Sequence, residues 1–170
     1  MASINRIRRQ QILRAAEGYL ELDMPDHALE ALARLNPDEL NNIALHLQGE
    51  ALRALGRYGD AISPLKQAAD GSPGDIHIWL SLGWCYKRIG RIDMAIESLE
   101  EALEADPNEA IIHYNLACYW SLARNKRNAL LFLGQAFELD PNYRDKVSEE
   151  SDFDGLRNDP GFLSLTTVIV

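Results

Sequence analysis

The sequence has few cysteines and no long apolar run, and each absence excludes a broad class of protein. Cys85 and Cys118 are the two cysteines among 170 residues, too few and too isolated to form a disulfide framework. Each lies in a helical pattern, so we expect reduced, packed thiols in a cytoplasmic protein. No apolar stretch approaches the roughly 20 residues that a membrane span requires. Arg14 and Glu17 interrupt any apolar segment after the basic start, so no signal peptide is predicted.

Positive charge is also scarce, because the formal net charge is −9. Long-range attraction to nucleic acid or to an anionic membrane is therefore not expected, and neither is predicted as a partner. The first fourteen residues are an exception, since they carry four arginines and no acid. We interpret them as the polar face of a helix, with an arm that binds phosphate or lipid as the alternative. The arginines are Arg6, Arg8, Arg9 and Arg14.

The residue patterns of common catalytic and metal sites are missing. The segment "DGSPGD" lacks the lysine of a phosphate-binding loop, and no nucleophile elbow is present. In "DFDGLRNDPGF" the glycine comes too early for a calcium loop, and Leu156 stands where an oxygen ligand is required. The acids of "ESLEEALEAD" are interpreted as a solvated helix face. The four histidines have no metal-ligand spacing, so we predict no metal, no cofactor and no enzyme. They are His27, His46, His77 and His113.

What the sequence does contain is a pattern of small, apolar and proline positions that recurs every 34 residues. The register holds over three copies without a gap. The small residues suit close helix contacts, and the leucines continue an apolar stripe at helical spacing. The matching positions are Gly49, Leu52, Ala61, Leu65, Ala68 and Pro73; Gly83, Tyr86, Ala95, Leu99, Ala102 and Pro107; and Ala117, Trp120, Ala129, Leu133, Ala136 and Pro141.

Turn residues in each copy separate two helices. Gly56 and Gly90 are expected to end first helices, where a left-handed backbone conformation costs glycine least. The segments "SPGD", "DPNE" and "DPNY" end second helices, because proline disfavours helical geometry in the residue before it. Strand signals are nearly absent before the last five residues. The sequence therefore predicts an all-α array of antiparallel helix pairs.

The pattern Trp79-x-x-Leu82-Gly83-x-x-Tyr86, continued by the alanine, leucine and proline positions above, resembles the tetratricopeptide repeat (TPR). The resemblance implies a single domain over residues 1–170, folded as a right-handed superhelix of antiparallel helix pairs. Copies are placed at 42–75, 76–109 and 110–143. A divergent first copy covers 9–41, and its second helix is expected to be shortened near Leu35-Asn36-Pro37.

The remaining residues, 144–170, do not repeat. The segment "DFDGLRNDPGF" is similar to one that often closes bacterial TPR proteins, so a C-terminal cap is expected over the last repeat. The final "TTVIV" is left with three alternatives: packed on the cap, frayed, or paired with another chain. The apolar residues expected to form the cap are Phe153, Leu156, Phe162, Leu163 and Leu165.

The resemblance also implies a concave groove lined by the first helices. Broad, stiff Trp84 and Tyr114 would serve as anchors, and three cations would attract an acid. The alternative is that Trp84 packs against a neighbouring helix or the N-terminal segment. The implied groove positions are Leu13, Arg14, Glu17 and Leu20 in the first copy; His46, Leu47, Glu50, Arg53 and Ala54 in the second; His77, Leu80, Ser81, Trp84, Lys87 and Arg88 in the third; and Ile111, Tyr114, Asn115, Cys118 and Leu122 in the fourth.

The chaperone-binding carboxylate clamp of some TPR proteins is absent from these positions. His46 and Glu50 occupy its first pair of places, Ser81 the next, and Ile111 and Asn115 the last. A carboxylate at Glu50 would repel the acidic chaperone terminus, so that ligand is excluded.

We therefore predict a protein-interaction module that binds a segment with apolar and acidic side chains, acting as an adaptor, assembly factor or co-chaperone. The alternative is a structural protein that self-associates through Leu163 to Val170 or through the N-terminal helix.

Overall fold

The computed structural model describes residues 2–167, with side chains from residue 5 onward. Over this range the fold is all-α, as predicted, and contains no strand. None of the described helices is long and apolar enough to cross a membrane. The helices are α1 (Ala2–Glu21), α2 (Pro25–Leu32), α3 (Asn42–Ala54), α4 (Tyr58–Gly71), α5 (Ile76–Arg88), α6 (Ile92–Ala105), α7 (Ala110–Leu122), α8 (Lys126–Leu139), α9 (Tyr143–Lys146) and α10 (Pro160–Thr166), with short 3₁₀ helices at Pro37–Glu39 and Ser151–Leu156.

Consecutive helices pack against each other as antiparallel pairs and stack into a superhelix. Helices α3, α5 and α7 begin 34 residues apart, at Asn42, Ile76 and Ala110. Helix α1 also contacts α3, and α3 contacts α5, so the first helices of successive pairs line one face. This is the face on which the sequence places the groove.

The predicted small residues lie at the helix contacts. Ala61, Ala95 and Ala129 are completely buried in one apolar core that continues from α3 into the C-terminal segment. A second core, from Ile12 to Ala51, joins the first helix pair to α3. Neighbouring pairs therefore bury each other's apolar faces, which is how a repeat fold obtains its stability.

The turns within each pair use a left-handed residue. Gly56 and Gly90 have φ values of 72° and 79°, as the sequence predicted. Thirty-four residues after Gly90, Arg124 takes the same conformation at φ 59°, although it has a side chain.

The first pair departs from the others in the way its sequence suggested. Helix α2 has 8 residues, whereas α4, α6 and α8 have 14 each. The 3₁₀ turn that follows is closed by the reciprocal Asn36 and Glu39 capping contacts. Glu39 also pairs with Arg8 at 3.0 Å, which ties this turn back to α1. One arginine of the basic N-terminus therefore has a structural partner.

The C-terminal residues fold back along the last helix pair. Phe153, Leu156 and Phe162 are buried in the main core, whereas Leu163 is 48% exposed and Leu165 is half-buried. The prediction that Leu163 covers the last repeat is therefore wrong, because this side chain faces away from the core. The last residues of "TTVIV", 168–170, lie outside the described residues. The part of the proposed self-association contact that falls on them is likewise outside.

Candidate binding groove

The N-terminal half of the groove, between α3 and α5, is open and carries a connected set of polar side chains. Arg53 donates to both carboxylate oxygens of Glu50, at 2.7 and 3.3 Å. His46 lies one turn away, 4.0 Å from the same carboxylate. Burial opposes ionisation of Glu50, but hydrogen bonds from Arg53 and Ser81 outweigh it and lower its pKa. Glu50 is therefore an ionised group on the groove surface with its own arginine partner.

Trp84 on α5 presents the largest aromatic surface in this half, since 37% of it is exposed. The Lys87 ammonium lies 5.1 Å from the Trp84 ring centre, and the Arg88 guanidinium lies 5.9 Å from it. Arg88 also stacks on Tyr58 at 4.9 Å. Cations over aromatic rings are attracted by the electron-rich face. This arrangement holds an exposed indole and an exposed arginine side by side.

The C-terminal half of the groove is filled by the chain's own residues 150–156. The 3₁₀ helix Ser151–Leu156 packs against α7, and Phe153 is completely buried there. The Phe153 ring meets Tyr114 edge-on at 5.9 Å. Ser121 on α7 donates to the backbone oxygen of Asp152 at 2.7 Å. This segment seals the surface between α5 and α7.

Two residues expected to contact a partner are therefore covered. Tyr114 is only 6% exposed and Cys118 only 2%, because the C-terminal segment and Tyr143 lie over them. Burial, reinforced by Cys118 and nearby carboxylates, raises the pKa of Tyr114 far above its ordinary value. The prediction that Tyr114 and Cys118 are accessible groove contacts is wrong.

Lys87 was expected to attract a partner's acid as part of a cationic cluster with Arg53 and Arg88, and this too is wrong. Its ammonium pairs with the carboxylate of Asp152, and the two side chains are only 16% and 9% exposed. Of the predicted cations, Lys87 is engaged by the chain itself and Arg53 by Glu50. Arg88 is exposed and has no carboxylate within ion-pair distance among the described residues. Arg88 is therefore the cation of this cluster that is available to a partner's acid.

The remaining predicted groove residues are spread along the first helices. His77 and Ile111 are exposed near the starts of α5 and α7, and Leu47, Leu80 and Asn115 are half-buried. Ala54 and Leu122 are exposed near the ends of α3 and α7. On α1, Leu13 is buried in the N-terminal core, so its predicted groove position is wrong. The other α1 positions, Arg14 and Glu17, are exposed and Leu20 is half-buried.

One group among the described residues has the geometry to hold a metal ion. The ligand atoms of Cys118, Glu150 and Asp152 lie within 4.8 Å of one another. The positive charge at this group is supplied by the Lys87 ammonium. Burial and the neighbouring carboxylates raise the pKa of Cys118 well above its ordinary value, so the thiol keeps its proton. We therefore interpret the cluster as an internal ion pair that fastens the C-terminal segment.

The sequence did not predict the contacts that close the C-terminal half of the groove, which are made by Ser121, Asp152 and Phe153. All three act through contacts between α7 and a segment outside the repeat period, which no internal alignment reveals. One signal was present, since "DFDG" carries the acidic and apolar side chains that the groove was predicted to bind.

Two family models, each described as a tetratricopeptide repeat, match residues 26–76 and 52–117. Together they span residues 26–117, more than half of the chain, and the structure has helix pairs over this range. The chain belongs to the tetratricopeptide repeat family. Tetratricopeptide repeats typically act as interaction scaffolds, and a protein-interaction module is the general function that this membership supports.

Solved structures of other TPR proteins share the fold. MamA from Desulfovibrio magneticus RS-1 is 19% identical, with a TM-score of 0.74 and 93% of each chain covered. TTC0263 of Thermus thermophilus is 20% identical, with a TM-score of 0.70 over 92% of this chain and 87% of that chain. YrrB, described as a TPR protein with an unusual peptide-binding site, is 22% identical, with a TM-score of 0.68 over 76% and 67%. No curated protein gives a significant match. At these identities the similarity establishes the fold alone.

Proposed function

We propose that this TPR protein is a non-enzymatic interaction module that binds a partner segment in the open half of its groove, between α3 and α5. The observation that carries the proposal is Trp84, a large aromatic side chain left 37% exposed on the concave face beside the available cation of Arg88. Exposed aromatic and arginine side chains are the residue types that dominate binding energy in protein interfaces.

The side chains that line this surface indicate which side chains the partner segment carries. Trp84 and the half-buried Leu80 offer apolar contact, and Arg88 offers a charge to one acid. A segment with apolar side chains and an acid fits this lining, as the sequence suggested. The C-terminal half of the groove is already occupied by residues 150–156, so the partner segment is short. We place the protein in the cytoplasm, since two free, buried cysteines suit a reducing compartment.

The experiment compares two matched variants by quantitative affinity capture from cells that produce the protein. Trp84→Ala with Arg88→Glu alters the groove. Leu131→Ala with Arg127→Glu likewise truncates an exposed apolar side chain and reverses an exposed arginine's charge, but on α8. We expect the groove variant to lose captured partners and the α8 variant to retain them, with helical content unchanged in both. Equal capture by wild type and groove variant contradicts the proposal. Unfolding of the groove variant would instead show that Trp84 belongs to the core.

Self-association is the second candidate, and exposed leucines at the C-terminal end favour it. Leu131 is 55% exposed and Leu163 48%, so two large apolar side chains of the C-terminal helices face solvent. Light scattering across a concentration series tests this candidate. A stable dimer that a Leu163→Glu variant disrupts supports self-association, whereas a monomer at all concentrations excludes it.

A further inference from the structure

The chain's own C-terminal segment shows how this groove holds a ligand. Three contacts fix it: the Lys87 ammonium on the Asp152 carboxylate, the Ser121 hydroxyl on the Asp152 backbone oxygen at 2.7 Å, and an apolar wall for Phe153. That wall includes Tyr114, which meets the Phe153 ring edge-on. The groove therefore binds an acidic residue followed by an aromatic one through a cation, a hydrogen-bond donor and an apolar surface.

The 34-residue period places similar groups one repeat earlier, on the open surface between α3 and α5. Arg53 takes the place of Lys87 as the cation, and Lys87 takes the place of Ser121 as the donor. Leu80 stands where Tyr114 forms the apolar wall. Because stacked repeats are related by nearly the same rotation and shift, equivalent positions face the groove in equivalent ways.

The open surface differs from the occupied one in two respects that favour an external ligand. Trp84 replaces Cys118, so the apolar wall is larger and 37% exposed instead of sealed. Arg88 lies next to Lys87 and has no ion-pair partner in the described part of the chain, whereas Lys87 and Arg53 already have carboxylate partners. The open surface thus retains an aromatic wall and one available cation.

We propose that the partner segment carries an acidic residue followed by an aromatic one, and that it docks between α3 and α5 as residues 150–156 dock between α5 and α7. The aromatic side chain packs on Leu80 and Trp84, and the acid is held by Arg88, because the charge of Arg53 is already paired with Glu50. This inference rests on the proposed function and names the partner's chemistry.

The test uses a fluorescently labelled synthetic peptide that copies residues 149–157, titrated with the full chain and followed by anisotropy. We expect saturable binding that weakens as salt is added, because one ion pair contributes to it. A Phe153→Ala copy of the peptide should bind about tenfold more weakly or worse, since it lacks the buried aromatic anchor. An Asp152→Asn copy should also lose affinity.

Protein variants locate the site. Trp84→Ala should weaken peptide binding by about tenfold or more, and Arg88→Gln should reduce its salt dependence. Ser121→Ala is the matched control, because the Ser121 hydroxyl bonds to the internal segment at Asp152, and its peptide affinity should equal that of the wild type. Amide chemical-shift changes on α3 and α5 would agree with this location.

Two results would overturn the inference. One is the absence of saturable binding by the peptide, and the other is binding that maps to α7 and is altered by Ser121→Ala, which would mean exchange with the internal segment. The proposed function is judged separately, by whether the groove variant loses captured partners. If that loss occurs and the peptide does not bind, the groove binds a partner of different chemistry and only this inference is wrong.

Discussion

The ammonium group of Lys87 pairs with the carboxylate of Asp152, 65 residues further along the chain. The pair joins α5 to the segment that fills the C-terminal half of the groove. Both side chains are largely withdrawn from water, so the pair is unlike an ordinary surface contact. The segment that this pair holds covers the C-terminal half of the groove and leaves the half between α3 and α5 exposed.

Breaking this pair should destabilise the protein measurably. Lys87→Met leaves the Asp152 carboxylate buried without a counter-charge, and we expect a loss of about 3 kcal/mol in the free energy of unfolding, measured by urea titration. Asp152→Asn should also be costly, and the double variant should cost less than the sum of the two. Arg57→Met is the control, because the Arg57–Asp60 pair is 55% and 60% exposed and should contribute under about 1 kcal/mol. Equal losses for Lys87→Met and Arg57→Met would contradict this account.

The left-handed turn positions give a second prediction. Substitution should lower the free energy of unfolding at Gly90 but not at Arg124. Gly90→Ala should lower the free energy of unfolding by about 1 kcal/mol, because φ is 79° there. Arg124→Gly, at the equivalent turn, should be neutral or raise it by up to about 1 kcal/mol, since it relieves the same strain. Gly18→Ala in α1 is the control and should stabilise slightly, because nothing lies within 4 Å of the added methyl group. A stabilising Gly90→Ala would show that the turn relaxes without cost.

The contact between paired helices gives a third prediction. A Cβ atom at Gly83 would lie 3.3 Å from the backbone oxygen of Ala95 and from the Leu99 side chain. Gly83→Leu should therefore overpack the interface and lower the free energy of unfolding by about 1–3 kcal/mol or more. Gly83→Ala should cost less, because Ala117 occupies the same place in the next repeat. Urea unfolding followed by circular dichroism measures both, and equal costs for the two variants would argue against overpacking.

The sequence predicted the helix pairs because the determinants of the fold are local and repeated. Gly56 and Gly90 fix the turns within a pair, and small residues at a 34-residue period fix how helices approach. The shortened α2 was also visible, since Pro37 comes too early for a full second helix. Each of these signals lies within a few residues of the structure it controls.

The accessible part of the groove was not predictable in the same way. Tyr114 occupies a groove position within its repeat, but its exposure depends on Phe153, which lies outside the period. The Lys87–Asp152 pair likewise joins positions that no repeat alignment relates. Position in the repeat therefore predicts which face a residue lies on, whereas coverage of that face depends on long-range packing of the C-terminal segment.

The buried thiol of Cys85 gives the last prediction, a dependence of stability on pH. Burial, reinforced by Glu50 and opposed by Arg53, raises the pKa of Cys85 to about 11 from an ordinary value of 9.0. Between these values the unfolded chain releases a proton that the folded chain retains, so this contribution to the free energy of unfolding is complete below pH 9 and is lost as pH rises towards 11.

Comparison with Cys85→Ala isolates this contribution, because tyrosines and Cys118 titrate in both proteins. The wild type's stability relative to Cys85→Ala, measured by urea unfolding at several pH values, should be constant up to about pH 8.5. It should then decrease steadily towards pH 11, because the substituted chain has no thiol to ionise at this position. A difference that stays constant across the whole range would mean that the Cys85 thiol ionises as readily in the folded protein as in the unfolded chain.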